Sequence, residues 1–342
     1  MDVKVGLIGY GYAGKVLHAP LIRAVPGLKL TTVASSKPDE VRADLGDVRV
    51  CSPAEMMQAD VDVIVIVTPN TEHFPLAMAA MKAGKDVVVD KPFTLNLAEA
   101  QQLVDFARAN KRMLTVFQNR RWDSEVLSVK DALSKGAVGR VAQFECRMQR
   151  YRPNVRKRWR EEPGHGAGLW FDLGPHLIDL TIHLFGRPQA ISADLAILRE
   201  GGSTDDWAHA VLTYPDMRVT LEASLLAAGA LPRSVLYGTE GTWAKYGADV
   251  QETQLQEKVS PLDPGFGVDS SKNVFYAGDG ERTELDSVDG NQLGFFAGVR
   301  DAILHGAEPP ISLDDMLTVM TILDASFQSA REKQTVELTY PD

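Results

Sequence analysis

Three groups of residues in this sequence could do chemistry. Lys91 ends the apolar run Asp86-Val87-Val88-Val89-Asp90 and is followed at once by Pro92. If that run is a short buried strand of a parallel sheet, its lysine emerges just beyond the carboxyl end, where such sheets bind ligands. Asp172 and His176 stand four residues apart, which on a helix is one face, one turn on. An imidazole titrates near neutrality and suits proton exchange with an alcohol or carbonyl oxygen, although the pair alone is equally compatible with a structural cap. Gly9-Tyr10-Gly11-Tyr12-Ala13-Gly14 is a complete G-x-G-x-x-G, preceded by the apolar stretch Val3 to Ile8 and opening a helical one. In that setting Gly9 permits the tight turn, Gly11 lets the backbone approach a pyrophosphate, and Gly14 allows close helix–strand packing. Taken together the groups describe hydride transfer. An oxygen would be held by Lys91 and His176 across an interdomain cleft while hydride moves to or from a nicotinamide carbon.

The residue closing the second strand normally selects the dinucleotide, because an acid there bonds the ribose and repels a 2′-phosphate. Here the chain reads Ser35-Ser36-Lys37, two hydroxyls and a cation that could hold a phosphate, so NADP is preferred. NAD stays open, because Asp39 could rotate inward. Thr68-Pro69-Asn70 follows the strand ending at Val67 and should run beside the cofactor, with Asn70 the leading contact and Asp90 and Lys91 nearby. His73 reads as a first-turn residue of the next helix that could touch the cofactor but has no direct catalytic role.

Length and composition bound these readings. A chain of 342 residues is expected to fold as two domains. Its 44% hydrophobic and 24% charged residues are those of a globular protein, and it has no apolar run long enough to span a bilayer. The net charge of −10 argues against general nucleic-acid binding. The amino terminus enters a strand directly, without the basic and apolar regions of a secretory signal, so a cytoplasmic location is expected. Cys51 and Cys146 match no metal or disulfide spacing, and His165, Asp172 and His176 lack a recognised zinc spacing.

The elements that must position the chemistry are legible in outline. Strands are predicted at 3–9, 29–35, 61–67, 86–90 and 113–117, with helices over Gly14–Ala24, Pro75–Ala83 and Asn96–Asn110. This alternation is a doubly wound α/β sheet, and Asn96 with Glu99 forms a variant capping box. Beyond Phe117 the rhythm changes. A helix at Ser124–Ser134, a strand near 141–150 and a helix at 170–185 precede strands at Ala208–Tyr214, Arg218–Ala223 and Ser234–Gly238. Turn signals at Tyr214-Pro215-Asp216 and Gly238–Gly241 make the second sheet antiparallel and open on one face. Pro175 is tolerable in a first turn, so the helix bearing His176 is expected to start there. The 248–290 segment reads as long loops with one edge strand near Asn273–Tyr276, and helices return at 291–305 and 313–331. Asn119 and Arg120 at the domain junction, and Arg152 within the basic stretch Arg147–Arg160, are candidate donors to substrate oxygens, while ion pairs on a solvated face explain some of these cations.

At this point the sequence resembles the glucose–fructose oxidoreductase and inositol dehydrogenase family, Gfo/Idh/MocA. The resemblance spans nearly the whole chain and rests on Gly9 to Gly14, Thr68-Pro69-Asn70 with His73, Asp90-Lys91-Pro92, Asn119-Arg120-Arg121-Trp122-Asp123 and Asp172-x-x-x-His176, in the family's order. The usual Glu-Lys-Pro is Asp-Lys-Pro here, and the segments around it are similar to a bacterial branch that includes scyllo-inositol dehydrogenases. The resemblance implies an N-terminal Rossmann domain over 1–118. It implies a substrate-binding and oligomerisation domain over 119–342, α+β with an open, mainly antiparallel sheet, whose last helices could pack back on the first domain. It further implies that Lys91, Asp172 and His176 are the catalytic trio, that the Lys-Pro peptide is often cis, and that the protein forms homo-oligomers, dimers or tetramers, on the open sheet. The activity so implied is NAD(P)-dependent interconversion of a secondary alcohol and a ketone on a polyol, inositol or sugar. The rival class is a non-catalytic nucleotide sensor of the same fold.

Overall fold

Strands that are apolar on both faces must be covered on both faces, and the runs Val63–Ile66 and Val87–Val89 are of this kind. The computed structural model describes residues 2–229 and 231–341. In chain order it contains β1 (Val3–Ile8), a π-helical turn (Ala13–His18) running into α1 (Ala19–Ala24), β2 (Leu28–Ala34), α2 (Pro38–Leu45), β3 (Arg49–Cys51), α3 (Pro53–Met56), β4 (Val63–Ile66), α4 (His73–Lys82), β5 (Asp86–Val89), α5 (Leu97–Asn110) and β6 (Leu114–Val116). There follow α6 (Ser124–Ser134), β7 (Val141–Gln149), α7 (Leu169–Phe185), β8 (Ala190–Ala196), β9 (Trp207–Thr213), β10 (Arg218–Ser224), β11 (Pro232–Gly238), β12 (Gly241–Tyr246), α8 (Gln251–Gln256), β13 (Lys272–Ala277), β14 (Arg282–Asp286), α9 (Leu293–His305), α10 (Leu313–Glu332) and β15 (Val336–Glu337). The chain divides into two units. The first holds residues 1–119, 251–266 and 291–317; the second holds 120–250, 267–290 and 318–342.

In the first unit the sheet order is β3-β2-β1-β4-β5-β6, all parallel. Chain order reverses between β1 and β4, so the carboxyl ends of those strands flank the switch point where such sheets bind dinucleotides. Val63 to Ile66 and Val87 to Val89 are buried throughout, as a central parallel strand requires. Asn96 caps α5 by accepting the Glu99 N–H at 2.9 Å, while the Glu99 carboxylate takes the N–H of Leu95 rather than that of the cap. Sequence periodicity passed over β3, α2 and α3. Each is short, and α3 opens on Ser52 in a full capping box with Glu55.

In the second unit nine strands run in the order β14-β13-β12-β11-β7-β10-β9-β8-β15. Every pair is antiparallel except β7 with β10. Alternate residues of the central strands point to one side and are buried, including Phe144, Cys146, Met148, Val219, Leu221, Leu212 and Ala210. The helix α7 covers that side, with Phe185 5.2 Å from Phe144 between ring centroids. The segment 248–290 differs from expectation: it contains α8 and two strands, of which β14 is exposed along its length and carries no apolar alternation to reveal it.

Pro175 also departs from expectation. The helix α7 begins at Leu169, so the proline is its seventh residue rather than a first-turn one. Leu169, Trp170 and Phe171 are buried and draw the helix upstream, while Gly174 is needed because a Cβ there would lie 2.9 Å from the Trp170 ring. Trp170 is in turn fixed by its indole N–H, which donates to Ser326 Oγ at 2.6 Å.

A fully buried lysine ties the far end of this sheet. Lys245 donates to Asp269 at 2.6 Å, Ser271 at 2.5 Å and Ser287 at 2.6 Å, and Asp269 also accepts from Ser124 Oγ at 2.5 Å. Burial alone would raise the Asp269 carboxyl, but Lys245 and the two serine hydroxyls outweigh it and hold it at about 2. Removing one partner of such a pair strands the other charge, so Asp269→Asn should cost about 3 kcal/mol in urea denaturation at pH 7. Because the folded carboxyl is depressed, the stabilisation is present above about pH 4. In the wild type it should be lost as pH falls towards about 2.

Candidate active site

The glycine loop shows why three of its residues lack a side chain. Gly9 has φ +99°, and a Cβ on it would lie 2.2 Å from the Val67 carbonyl oxygen; one on Gly14 would lie 2.1 Å from the Gly9 carbonyl oxygen. A Cβ on Gly11 would meet nothing within 4 Å, so the backbone at the start of the following helix is open to close approach there. Tyr10 is buried, its hydroxyl 3.4 Å from Asp44, and the exposed Tyr12 accepts a hydrogen bond from Gln256 at 2.6 Å. Ala13 is half-buried at the first π-helical position.

At the end of β2, Ser35 Oγ accepts the N–H of Lys37 at 3.1 Å, and Ser36 is exposed. Asp39 points away into solvent. The nearby acid is Glu40, 3.4 Å from Lys37 Nζ and 3.1 Å from Lys15 Nζ, and Lys15 also meets Asp44 at 2.7 Å. Lys15 was missed by the sequence reading, since it follows the motif's last glycine and resembles any helix-surface lysine. The two lysines and two hydroxyls can receive a 2′-phosphate, with Glu40 opposing it. The Thr68 Oγ1 is buried without a hydrogen-bond partner, Pro69 is exposed and Asn70 is buried. The open approach to the backbone at Gly11 and an orphaned hydroxyl at Thr68 fit a dinucleotide.

Lys91 is half-buried beyond β5, and its peptide bond to Pro92 is cis, as the resemblance implied. Its backbone N–H donates to Asp90 Oδ1 at 2.8 Å. His73, expected as an ordinary first-turn residue, is buried and spans two loops: Nδ1 lies 2.8 Å from the Pro92 carbonyl and Nε2 3.0 Å from that of Thr68. Burial pulls the His73 pKa down, against Asp90 and the carbonyl oxygens, which favour the charged ring. For Asp90 the balance is opposite. Burial would raise it, but His18, Lys91 and His73 around it hold its carboxyl below the usual range.

In the second unit Asp172 and His176 lie one turn apart on α7. Asp172 is partly exposed, with Arg160 3.5 Å away, and His176 is buried at 4% exposure. Asn119, in the first unit, is buried. Arg120 pairs with Asp123 at 2.9 Å, and the half-buried Arg152 has its pKa lowered by burial and by Arg156 and Arg158. Several of the basic residues are structural: Arg147 pairs with Glu145 and Glu222, and Arg158 and Arg199 both grip Glu161. So is Arg121, which clasps Asp179 with two hydrogen bonds at 2.9 and 2.6 Å. Among the described residues no cluster of three His, Cys, Asp or Glu is placed to hold a metal, and no helix is long and apolar enough to cross a membrane.

Asp205 anchors the start of α7, its carboxylate accepting the Trp170 N–H at 2.6 Å and its carbonyl the Leu169 N–H at 2.9 Å. Burial lifts its carboxyl to about 6 despite the Trp170 N–H, with Asp206 adding like charge. A raised carboxyl stabilises the fold most below about pH 4 and loses that contribution as pH rises to about 6. The stability difference between wild type and Asp205→Asn should therefore shift against the wild type from pH 4 to about 6 and stay flat above, in thermal melts across that range.

Comparison with known proteins matches the chain in two parts. Residues 3–118 match the oxidoreductase family's NAD-binding Rossmann fold, and residues 130–338 match its C-terminal alpha/beta domain. The chain is 44% identical to the uncharacterized oxidoreductase YdgJ of Escherichia coli K12, over 98% of each. It is 33% identical to the scyllo-inositol 2-dehydrogenase (NADP(+)) IolW of Bacillus subtilis, over 99% of this chain and 96% of that one. A crystal structure of a putative oxidoreductase from Klebsiella pneumoniae superposes with a TM-score of 0.94 at 42% identity, covering 100% of this chain and 96% of that one. Its two matched domains and full-length relatives establish that this chain is an oxidoreductase of the Gfo/Idh/MocA family.

Proposed function

We propose that this oxidoreductase interconverts a secondary alcohol and a ketone on a polyol, inositol or sugar, with NADP as the preferred cofactor. The observation that carries the reading is the chemical set itself: Asp172 and His176 on one face of α7, and Lys91 fixed by its own peptide beyond β5. The 33% identity to IolW, whose name states both scyllo-inositol and NADP, supports the substrate class and the cofactor. When bound, the cofactor's nicotinamide accepts or returns the hydride. The residues of this chain do the rest. His176 takes the hydroxyl proton as the alcohol is oxidised and returns it on reduction. Lys91 donates a hydrogen bond to the reacting oxygen and stabilises the negative charge that develops on it. Asp172 holds His176 or Lys91 in place electrostatically. Asn119, Arg120 and Arg152 are the proposed donors to substrate hydroxyls, and the Gly9–Gly14 loop, Ser35, Ser36, Lys37, Thr68–Asn70, His73 and Asp90 line the cofactor's place. A sensor that binds the dinucleotide without turnover has no use for this trio.

Lys91→Ala should lower kcat on a responsive polyol by about a thousandfold, the loss typical of one electrostatic donor, with NADPH affinity nearly unchanged. Turnover is followed by reduced-nicotinamide absorbance and affinity by fluorescence titration. Unchanged turnover would sink the assignment. Glu40→Gln should tighten NADPH relative to NADH by about fivefold, since it removes one partly screened charge beside Lys15 and Lys37. The same titration with both cofactors checks it.

A further inference from the structure

The most unusual side chain in the first unit is one that the proposed reaction does not use. His18 is 0% exposed, and neither ring nitrogen has a hydrogen-bond partner. A buried polar group in that condition needs a reason. Its ring lies on Phe117 at 4.0 Å between centroids and edge-on to Phe296 at 6.0 Å, so apolar packing alone would be better served by another hydrocarbon. The group facing the imidazole is Asp90: Nε2 is 3.7 Å from Oδ1, the same oxygen that accepts the Lys91 N–H.

The local backbone delivers the ring there. Residues 13–18 form a π-helical turn closed by the Ala19 N–H on the Gly14 carbonyl, a five-residue step. The extra residue rotates the next helical turn by about 100° relative to an uninterrupted α-helix, and such turns gather at functional sites. His18 is the last residue of that turn. A second histidine reaches the same dipeptide from the other side, since His73 Nδ1 lies 2.8 Å from the Pro92 carbonyl. Asp90 thus has His18, Lys91 and His73 as its facing charged or titratable groups. The Lys91-Pro92 unit is bounded by a carboxylate at its N–H and an imidazole at its carbonyl.

We propose that His18 and His73 are positioning residues for Lys91, His18 acting through the Asp90 carboxylate and His73 through the Pro92 carbonyl. The inference rests on the catalytic reading of Lys91. Neither histidine touches the reacting atoms in this account. His18 orients the Asp90 carboxylate and keeps it charged, so that it holds the lysine's peptide; His73 fixes the following carbonyl and, through Thr68, the neighbouring loop. The orientation of the Lys91 side chain is then set by two buried rings from other strand ends.

The test uses the full-length protein. His18→Leu keeps the apolar packing and removes the ring nitrogens, whereas His18→Gln restores a donor near Nε2; His73→Leu and His73→Gln form the matching pair. Four quantities are measured: melting temperature, NADPH affinity by fluorescence, kcat on a polyol, and the rate at which acetic anhydride labels Lys91, read by peptide mass spectrometry with Lys37 as internal reference. His18→Leu should melt no lower than wild type and bind NADPH within twofold. Its kcat should fall tenfold or more, its Lys91 labelling should change at least twofold relative to Lys37, and His18→Gln should recover much of both. A His18→Leu protein with wild-type kcat and Lys91 labelling overturns the inference. So does a parallel fall of kcat, NADPH affinity and melting temperature without recovery in His18→Gln, which marks a packing role. Lys91→Ala run alongside separates the two levels: if it is inactive while the histidine variants are fully active, only the positioning inference fails, and if it keeps wild-type turnover, both fail.

Discussion

A single carboxylate oxygen organises the end of β5. Asp90 Oδ1 accepts the backbone N–H of Lys91 at 2.8 Å, and that bond sets the course of the chain as it leaves the sheet for the cis Lys91-Pro92 peptide. Asp90 is itself anchored by the strand, its own N–H donating to the Ile66 carbonyl at 2.8 Å. A longer acid would place its carboxylate farther from the backbone; aspartate is the side chain whose reach matches the N–H of the next residue. The charge survives burial because three cationic or titratable groups surround it. Much of the first unit's local design serves this point. The β1 turn must be tight enough for Gly9 to lie against Val67, which brings the next helix, with His18, over the strand ends.

The second unit solves a different problem, that of holding many cations in an acidic chain. Glu161 binds Arg158 at 2.6 Å and Arg199 at 3.0 Å, and Arg199 also meets Asp206 at 3.0 Å, so the basic loop is folded around a buried charge network. Arg121 does the same with Asp179 of α7. Buried pairs of this kind add little net stability, but breaking one is costly, so they specify a geometry rather than strengthen it. The geometry specified here is that of α7 and its amino end, where Asp172 and His176 reside.

The residues of the proposed site stand out in the sequence more plainly than the scaffolding does. Gly9 to Gly14, Lys91 and the Asp172–His176 pair are recognisable because each combines an unusual residue with a fixed spacing, and the doubly wound sheet follows from runs such as Val87 to Val89 that only a buried parallel strand explains. The reading failed where the signal is cooperative or weak. β14 has no apolar residue pattern because none of it is buried, and in β12 the buried residues Trp243, Ala244 and Lys245 are consecutive, so Gly241–Tyr246 shows no alternation. Pro175 misled because propensity argues for a helix start, whereas burial of Leu169 to Phe171 decides the matter. His18 and Lys15 left no signal. One became notable through the carboxylate it faces in space, the other through Glu40 and Asp44, which lie 25 and 29 residues further along the chain.

The claim on which the account turns is that hydrogen leaves a substrate carbon as hydride and arrives on the cofactor through the agency of Lys91. It is tested most directly by incubating the protein and NADP with inositols and sugars deuterated at their carbinol carbons, then weighing the recovered NADPH. The account predicts deuterium in the NADPH from at least one of these alcohols with the wild-type protein, and transfer about a thousandfold slower with Lys91→Ala. Binding of NADP without label transfer from any member of the panel, or equal transfer by the Lys91→Ala protein, would contradict it.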